Sequence, residues 1–383
     1  MKKTVAAVAV LGAFAGSALA ADVTLYGVVD AGLVYTHLDQ DVQRVDATDK
    51  FEMKSGNQAG SRWGLKGVED LGNGAQVGFI LESGFNVDDG SFRTANTLFD
   101  REASLFVQGG FGKVAFGKLG SIVQGVSSWG KVGSVSAFGT SFGNYAAQAG
   151  AIFATSTVYD NMIAYSTPSF GGVTVYAQYT MGNATENESG DDRLFSLGAQ
   201  ADFGALQVLG LVEYLNKKSV ADTTVYDDSQ YDDSYTINLG GSYDFGVAKV
   251  FLAGQYFKAA PDFAGMKDNY GYLSLDEIGW RFSFDGFGVN VGATAPIGAG
   301  EFLVSAGYGK GDLNIDTKDA KISADAYIIQ VGYTYPFSKR TNLYAGAGYM
   351  QTSMEDGFIN TDRTYSDKDF KTTQVMFGLL HKF

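Results

Sequence analysis

What limits this chain most is a repeat in its hydropathy. From residue 23 to residue 383, runs of about ten residues alternate apolar and polar side chains, a pattern that specifies strands. Residues 23–36 set the pattern. Leu25, Gly27, Val29, Ala31, Leu33 and Tyr35 fall on one side, and Thr24, Tyr26, Val28, Asp30 and Gly32 on the other. Successive side chains of a strand point to opposite faces, so this is a strand with one apolar face.

After a connection rich in Asp (residues 39–58), the alternation resumes in residues 60–69 and 75–85, and again in 98–109 and 113–118. Beyond residue 159 it runs through the pairs 160–168 and 173–182, 193–202 and 205–215, 234–245 and 248–258, 287–296 and 301–310, and 324–336 and 342–351, and it closes with 371–383. An opening strand, seven hairpins and a closing strand predict about sixteen strands, an even number. Short connections, such as Phe203-Gly204 and Gly246-Val247, all fall at one end, and long polar ones at the other. Residues 276–287 fit least well, since Ile278, Trp280, Phe282 and Phe284 would add strand inside a loop.

No mature segment holds eighteen consecutive apolar residues, which excludes helical membrane spans. Sheets survive in hydrocarbon only when closed on themselves, because every backbone N–H and C=O needs a partner. The prediction is therefore all-β: one transmembrane antiparallel barrel over residues 21–383, with short periplasmic turns and long extracellular loops. Sixteen strands enclose more lumen than side chains fill. Asp30, Arg62, Lys66, Gln76, Glu82, Thr174, Gln178, Gln330 and Gln374 sit on the polar parity and are expected to face it.

Residues 119–159 break the rhythm. They contain no acidic residue and a single charge, Lys131, amid Gly, Ser, Ala and scattered aromatics. Connections of that length are uncommon and usually functional. The other long connections carry Asp, as water-facing loops do. This one is expected to fold inward and narrow the lumen. The alternative is a Gly/Ser linker between domains, but linkers rarely carry Trp129, Phe138, Phe142, Tyr145, Ile152 and Phe153.

Residues 1–20 read as a cleaved secretory signal, with Lys2 and Lys3 before a short apolar core and Ala18-Leu19-Ala20 at the cleavage site. Removing those two lysines takes the formal charge from −14 to −16, which argues against nucleic acid as a partner. Without Cys there is neither a disulfide nor a thiolate. Four Pro against 51 Gly and 22 Tyr suits many unbroken strands and aromatic girdles. Neither His37 nor His381 has a Ser and a carboxylate placed nearby in sequence, so no enzyme, cofactor or metal is expected. The Asp clusters at 39–49 and 227–233 offer Ca²⁺-type oxygen ligands, but without EF-hand spacing they read as solvated loop charge.

Several segments together resemble the trimeric general porins of Gram-negative outer membranes, of the β-proteobacterial type. They are Asp22-Val23-Thr24-Leu25-Tyr26-Gly27, Gly60-Ser61-Arg62-Trp63-Gly64-Leu65-Lys66-Gly67 and Asp160-Asn161-Met162-Ile163-Ala164-Tyr165-Ser166-Thr167-Pro168, with Ser338-Lys339-Arg340-Thr341-Asn342-Leu343-Tyr344 and the terminal Gly378-Leu379-Leu380-His381-Lys382-Phe383. The resemblance spans essentially the whole mature chain. It implies a homotrimer in the outer-membrane lipid that passes small hydrophilic solutes and ions by passive diffusion. It also implies that the third extracellular loop, about residues 119–159, enters the bore and faces basic wall residues. Arg62, Lys66, Arg101 and Lys118 fit that role, with Lys54 near the rim, and Phe383 resembles the terminal aromatic read by the outer-membrane assembly machinery.

Two departures stand out. The inward loop offers Ser141-Phe142-Gly143-Asn144-Tyr145 where relatives carry acidic residues, and Leu380 stands where Arg is expected. An acid-free loop facing basic wall residues predicts a weak anion preference. Arg62 and Lys66 read equally as wall cations or as ion-pair partners of Asp30 or Glu82. Arg101 and Lys118 share parity with apolar residues, which also suits the lipid-side rim. Two rival functions remain: a substrate-specific channel with Trp129, Phe138, Phe142 and Tyr145 as an aromatic slide, or an adhesin or receptor barrel acting through its acidic loops.

Overall fold

The alternating runs form seventeen strands in one antiparallel sheet: β1 (Thr24–Gln40), β2 (Thr48–Ser55), β3 (Arg62–Gly72), β4 (Ala75–Gly84), β5 (Glu102–Gly109), β6 (Gly112–Gly120), β7 (Val158–Ser166), β8 (Val173–Thr180), β9 (Arg193–Phe203), β10 (Leu206–Asn216), β11 (Ser234–Asp244), β12 (Lys249–Ala260), β13 (Phe282–Ile297), β14 (Gly300–Ile315), β15 (Ile322–Pro336), β16 (Thr341–Ile359) and β17 (Tyr365–Lys382). This computed structural model describes residues 23–40, 46–123, 127–139, 142, 152–154, 156–182, 193–216, 233–260, 263–264, 282–315, 322–359 and 365–383. The expected signal segment, Tyr145, Ile278 and Trp280 lie outside the described residues, while Phe282 and Phe284 open β13.

The sheet closes. β1 pairs along one edge with β17, from Val28 opposite Lys382 to Gln40 opposite Phe370. Its other edge pairs with two strands in succession, with β3 from Thr24 opposite Lys66 to Val28 opposite Arg62, and with β2 from Ala31 opposite Ser55 to Leu38 opposite Thr48. β2 and β3 are thus halves of one interrupted stave, and the barrel has the sixteen staves expected. Two β-hairpin residues suffice where Gly204 takes φ +65°, a left-handed conformation that glycine adopts without strain.

β2 corrects the expectation that residues 39–58 are all loop, because Phe51 and Met53 alternate outward within that acidic stretch. The interruption after it has a local cause. Gly56 turns at φ +72°, and the Asp30 carboxylate accepts hydrogen bonds from the N–H groups of Gln58 and Ala59, both at 2.7 Å. The chain therefore leaves the ladder inward over Asp30 and re-enters it at Arg62.

Outward positions are apolar and open: Leu25, Leu33, Leu105, Phe116, Leu197, Leu239, Leu252, Val291, Ile329 and Phe377. A soluble protein would bury such a belt, and a bilayer covers it. Among the described residues no helix is long and apolar enough to cross a membrane. The crossing is made by strands.

Candidate functional site

The interior is built from a loop, an apolar inner wall and a charged inner wall. The loop leaves β6 at Gly120 and returns at Val158, and its described apolar residues are buried: Ile122, Trp129, Val132, Val135, Phe138, Phe142, Ile152 and Phe153. They pack on inward side chains of the far staves, including Leu194, Leu209, Leu211, Phe257, Ile328 and Met350. The Phe138 and Phe142 rings meet edge to face at 5.4 Å, and Phe142 meets Tyr344 of β16 at 5.9 Å. The expectation of an entirely polar inner face fails here, because this half of the wall is a seat for the loop.

Close approach is possible because small residues line the seat. A Cβ at Gly240 would lie 2.6 Å from Val135 Cγ2, and one at Gly292 would lie 2.7 Å from Ala137 Cβ. Gly332 and Gly346 face Phe138 and Phe142 in the same way. Two glutamines then hold the loop as a neighbouring strand would. Gln178 accepts from the Ile122 N–H at 2.7 Å and donates to the Gly120 carbonyl at 3.1 Å, while Gln255 accepts from the Ala154 N–H at 2.6 Å and donates to its carbonyl at 3.1 Å. Glu102 secures a third point, accepting from the Ser128 N–H at 3.0 Å and its hydroxyl at 3.1 Å.

The opposite wall, on β1 and β3–β5, carries the charge. Glu82 is its centre: it accepts from Arg101 Nε at 2.6 Å and the Tyr26 hydroxyl at 3.0 Å, and Arg62 Nε stands 3.5 Å away. Arg62 also donates to the Gly60 carbonyl at 2.8 Å, so of its two predicted partners it takes Glu82 and not Asp30. Arg93, from the loop after β4, packs against Gly84, beside Asp100. Burial first, and then the charge of Arg101, lower its pKa from the ordinary arginine value, opposed by Asp100. Lys66 is exposed on the same inward parity, 5.1 Å over the Tyr26 ring.

Two expectations need correction. Asp30 does not line open water: it is fully buried, holding the Gln58–Ala59 bend and accepting from the Tyr344 hydroxyl at 2.6 Å. Lys118, at the bulge that follows Gly117, pairs with Asp160 at 2.6 Å and lines a polar recess together with Arg93, Thr94 and Asp100. The rings of Trp129, Phe138 and Phe142 face the wall and not the bore, which removes the aromatic slide. Arg101 precedes the first residue of β5, so strand parity does not govern it and its head turns inward to Glu82. Lys54, from β2, stands 4.0 Å from Glu52. Lys131 lies in the loop with its ammonium 4.9 Å over the Tyr176 ring.

Sequence reading missed Tyr26, Arg93, Asp100, Glu102 and Lys113. Tyr26 and Lys113 were legible from strand parity alone, whereas Arg93 and Asp100 belong to a loop whose path no alternation encodes. Phe383 completes the closure, exchanging backbone hydrogen bonds with Gly27 at 3.1 Å in each direction.

A closed barrel with a lipid-compatible outside, a loop seated in its lumen and charges lining the remaining passage is a membrane channel. The chain belongs to the Gram-negative porin family, which residues 6–355 match. An outer membrane porin protein of Bordetella pertussis is 34% identical over the full length of both chains, and outer membrane porin protein 32 of Delftia acidovorans is 30% identical, covering 92% of this chain and 90% of that one. Among solved structures, the anion-selective porin from Comamonas acidovorans shares the fold with a TM-score of 0.66 at 23% identity, covering 95% of this chain and all of that one. The protein is an outer-membrane porin through which small solutes diffuse passively.

Proposed function

We propose that the protein is a homotrimeric general-diffusion channel for small hydrophilic solutes and ions, with a weak preference for anions. The observation that carries this reading is the geometry of the lumen: an inward loop free of acidic residues packs on one wall, is tied at Ser128 to Glu102 of the other, and leaves Arg62, Arg93 and Arg101 on that charged wall. Charges at the narrowest point act at short range, while the acidic extracellular loops are screened over a Debye length of about 8 Å. Arg62 and Lys66 serve as wall cations and Glu82 orients the guanidiniums. The anion-selective Comamonas porin and the trimeric form of OmpT of Vibrio cholerae, which share the fold, are consistent with the ion preference and with the trimer. Residues 1–20 act as the export signal, and Phe383 ends the strand that the assembly machinery reads.

Planar-bilayer recording in a KCl gradient tests the reading. Stepwise, steady channel insertions with a reversal potential displaced toward that of chloride are expected. A reversal potential on the potassium side rejects the anion preference, and absence of steady openings rejects the general channel.

A further inference from the structure

Two lysines beside the inward loop lie outside the constriction cluster. Lys113 stands near the start of β6, opposite Gln108 in the ladder. Its ammonium lies 4.1 Å over the Phe106 ring and 5.4 Å over that of Trp129. It opens onto a polar recess of about 340 Å³, also lined by Gln76, Gln108, Ser166 and Thr167, beside the short turns of the barrel. Lys131 comes from the loop two residues after Trp129. Burial, and after it the positive charge of Lys113, lower the pKa of the Lys131 ammonium from the ordinary lysine value. Lys113 thus meets the loop at Trp129, two residues from Lys131, so that two like charges from two different elements converge on the same stretch of the loop.

Neither ammonium forms an ion pair with a carboxylate among the described residues. The acid whose charge reaches Lys113, Glu102, is already engaged by Ser104 at 2.8 Å and by Ser128. Ring faces stabilise an ammonium but carry no net charge, so they leave its field uncancelled. The indole N–H of Trp129 is a further donor with no acceptor among the described residues. The constriction differs, because Arg62 and Arg101 lie against Glu82 and Arg93 lies beside Asp100.

We infer that Lys113 and Lys131 form an anion-binding site on the short-turn side of the inward loop, and that this pair adds to the anion preference of the arginine wall. Two neighbouring ammonium groups fit a doubly charged small anion, a dicarboxylate or inorganic phosphate, better than a monovalent one. The inference rests on the conducting, anion-preferring channel proposed above.

The test uses the full-length protein in planar bilayers, with succinate and inorganic phosphate as probes of chloride current. In the K113Q/K131Q double variant, the chloride-to-potassium permeability ratio is expected to fall about threefold, as removal of two unscreened charges implies. The concentration of either probe that halves the current is expected to rise about tenfold, equivalent to about 1.4 kcal/mol. K113R/K131R, which keeps both charges, retains both properties, and K339Q, in an exposed turn, changes neither. R62Q lowers the ratio but leaves the half-blocking concentration of either probe unchanged. A cation-selective wild type overturns the ion preference of the channel itself. With an anion-selective wild type, unchanged ratio and block in K113Q/K131Q overturn the lysine site alone. So does an equal loss in K113R/K131R, which would make the effect one of packing. If the double variant fails to insert, the single variants K113Q and K131Q carry the same comparison, each with part of the shift.

Discussion

At the scale of single residues, the lumen shows how burial turns a charge from a pore feature into a structural one. Asp30 and Glu82 share the inward parity, yet Asp30 is consumed by two backbone N–H groups and the Tyr344 hydroxyl. Hydrogen bonds to a charged group contribute about 1.5–3 kcal/mol each, so Asp30→Ala is expected to cost about 3 kcal/mol in urea unfolding from lipid or detergent. Selectivity should stay at the wild-type value, and a shifted reversal potential would place Asp30 in the conduction path after all. Glu82 holds Arg101 and lies beside Arg62. Glu82→Gln keeps the shape and removes one negative charge, so the reversal potential is expected to move further toward chloride. Breaking a buried ion pair also costs about 3–5 kcal/mol, which the same unfolding measurement reads. The parity of these residues was legible in sequence. Their partners were not, because they come from strands and loops distant in the chain.

At the scale of elements, the inward loop and its seat are one packing unit. Fully burying a side chain such as Phe138 or Ile152 stabilises by about 1.5–3 kcal/mol, and eight such residues of the loop are buried in the lumen. Deleting residues 121–157 is therefore expected to destabilise the barrel and lower folding yield, not simply to widen the pore, because it bares Leu209, Leu211 and Phe257 to the lumen. Folded trimers with wild-type unfolding midpoints and raised conductance would contradict this. A smaller change separates seat from loop: a Cβ at Gly292 already meets the Val304 carbonyl oxygen at 2.9 Å as well as Ala137. Gly292→Val is expected to push the loop toward the passage and lower single-channel conductance. Composition read as strand glycine was in part the seat of the loop, since a glycine's neighbours are invisible until strands are registered.

At the scale of the whole molecule, the outward belt of Leu, Val, Ile, Phe and Tyr makes the protein dependent on lipid or detergent. In mild detergent its native mass is expected to be about three protomers by light scattering, and a monodisperse monomer would reject the trimer. What the sequence by itself determined is the all-β class, the sixteen staves, the sorting of short and long connections and the identity of the loop that leaves the rhythm. Period-two hydropathy is local, and each strand writes its own face into consecutive residues. Only the tertiary structure decided that Asp30 is a bend clamp, that Lys118 is held by Asp160, that the loop aromatics pack on a glycine-lined wall, and which cations have no carboxylate partner among the described residues. Those outcomes depend on which side chains meet across the barrel, and pairings separated by a hundred residues or more, such as Gln255 with Ala154, leave no local trace.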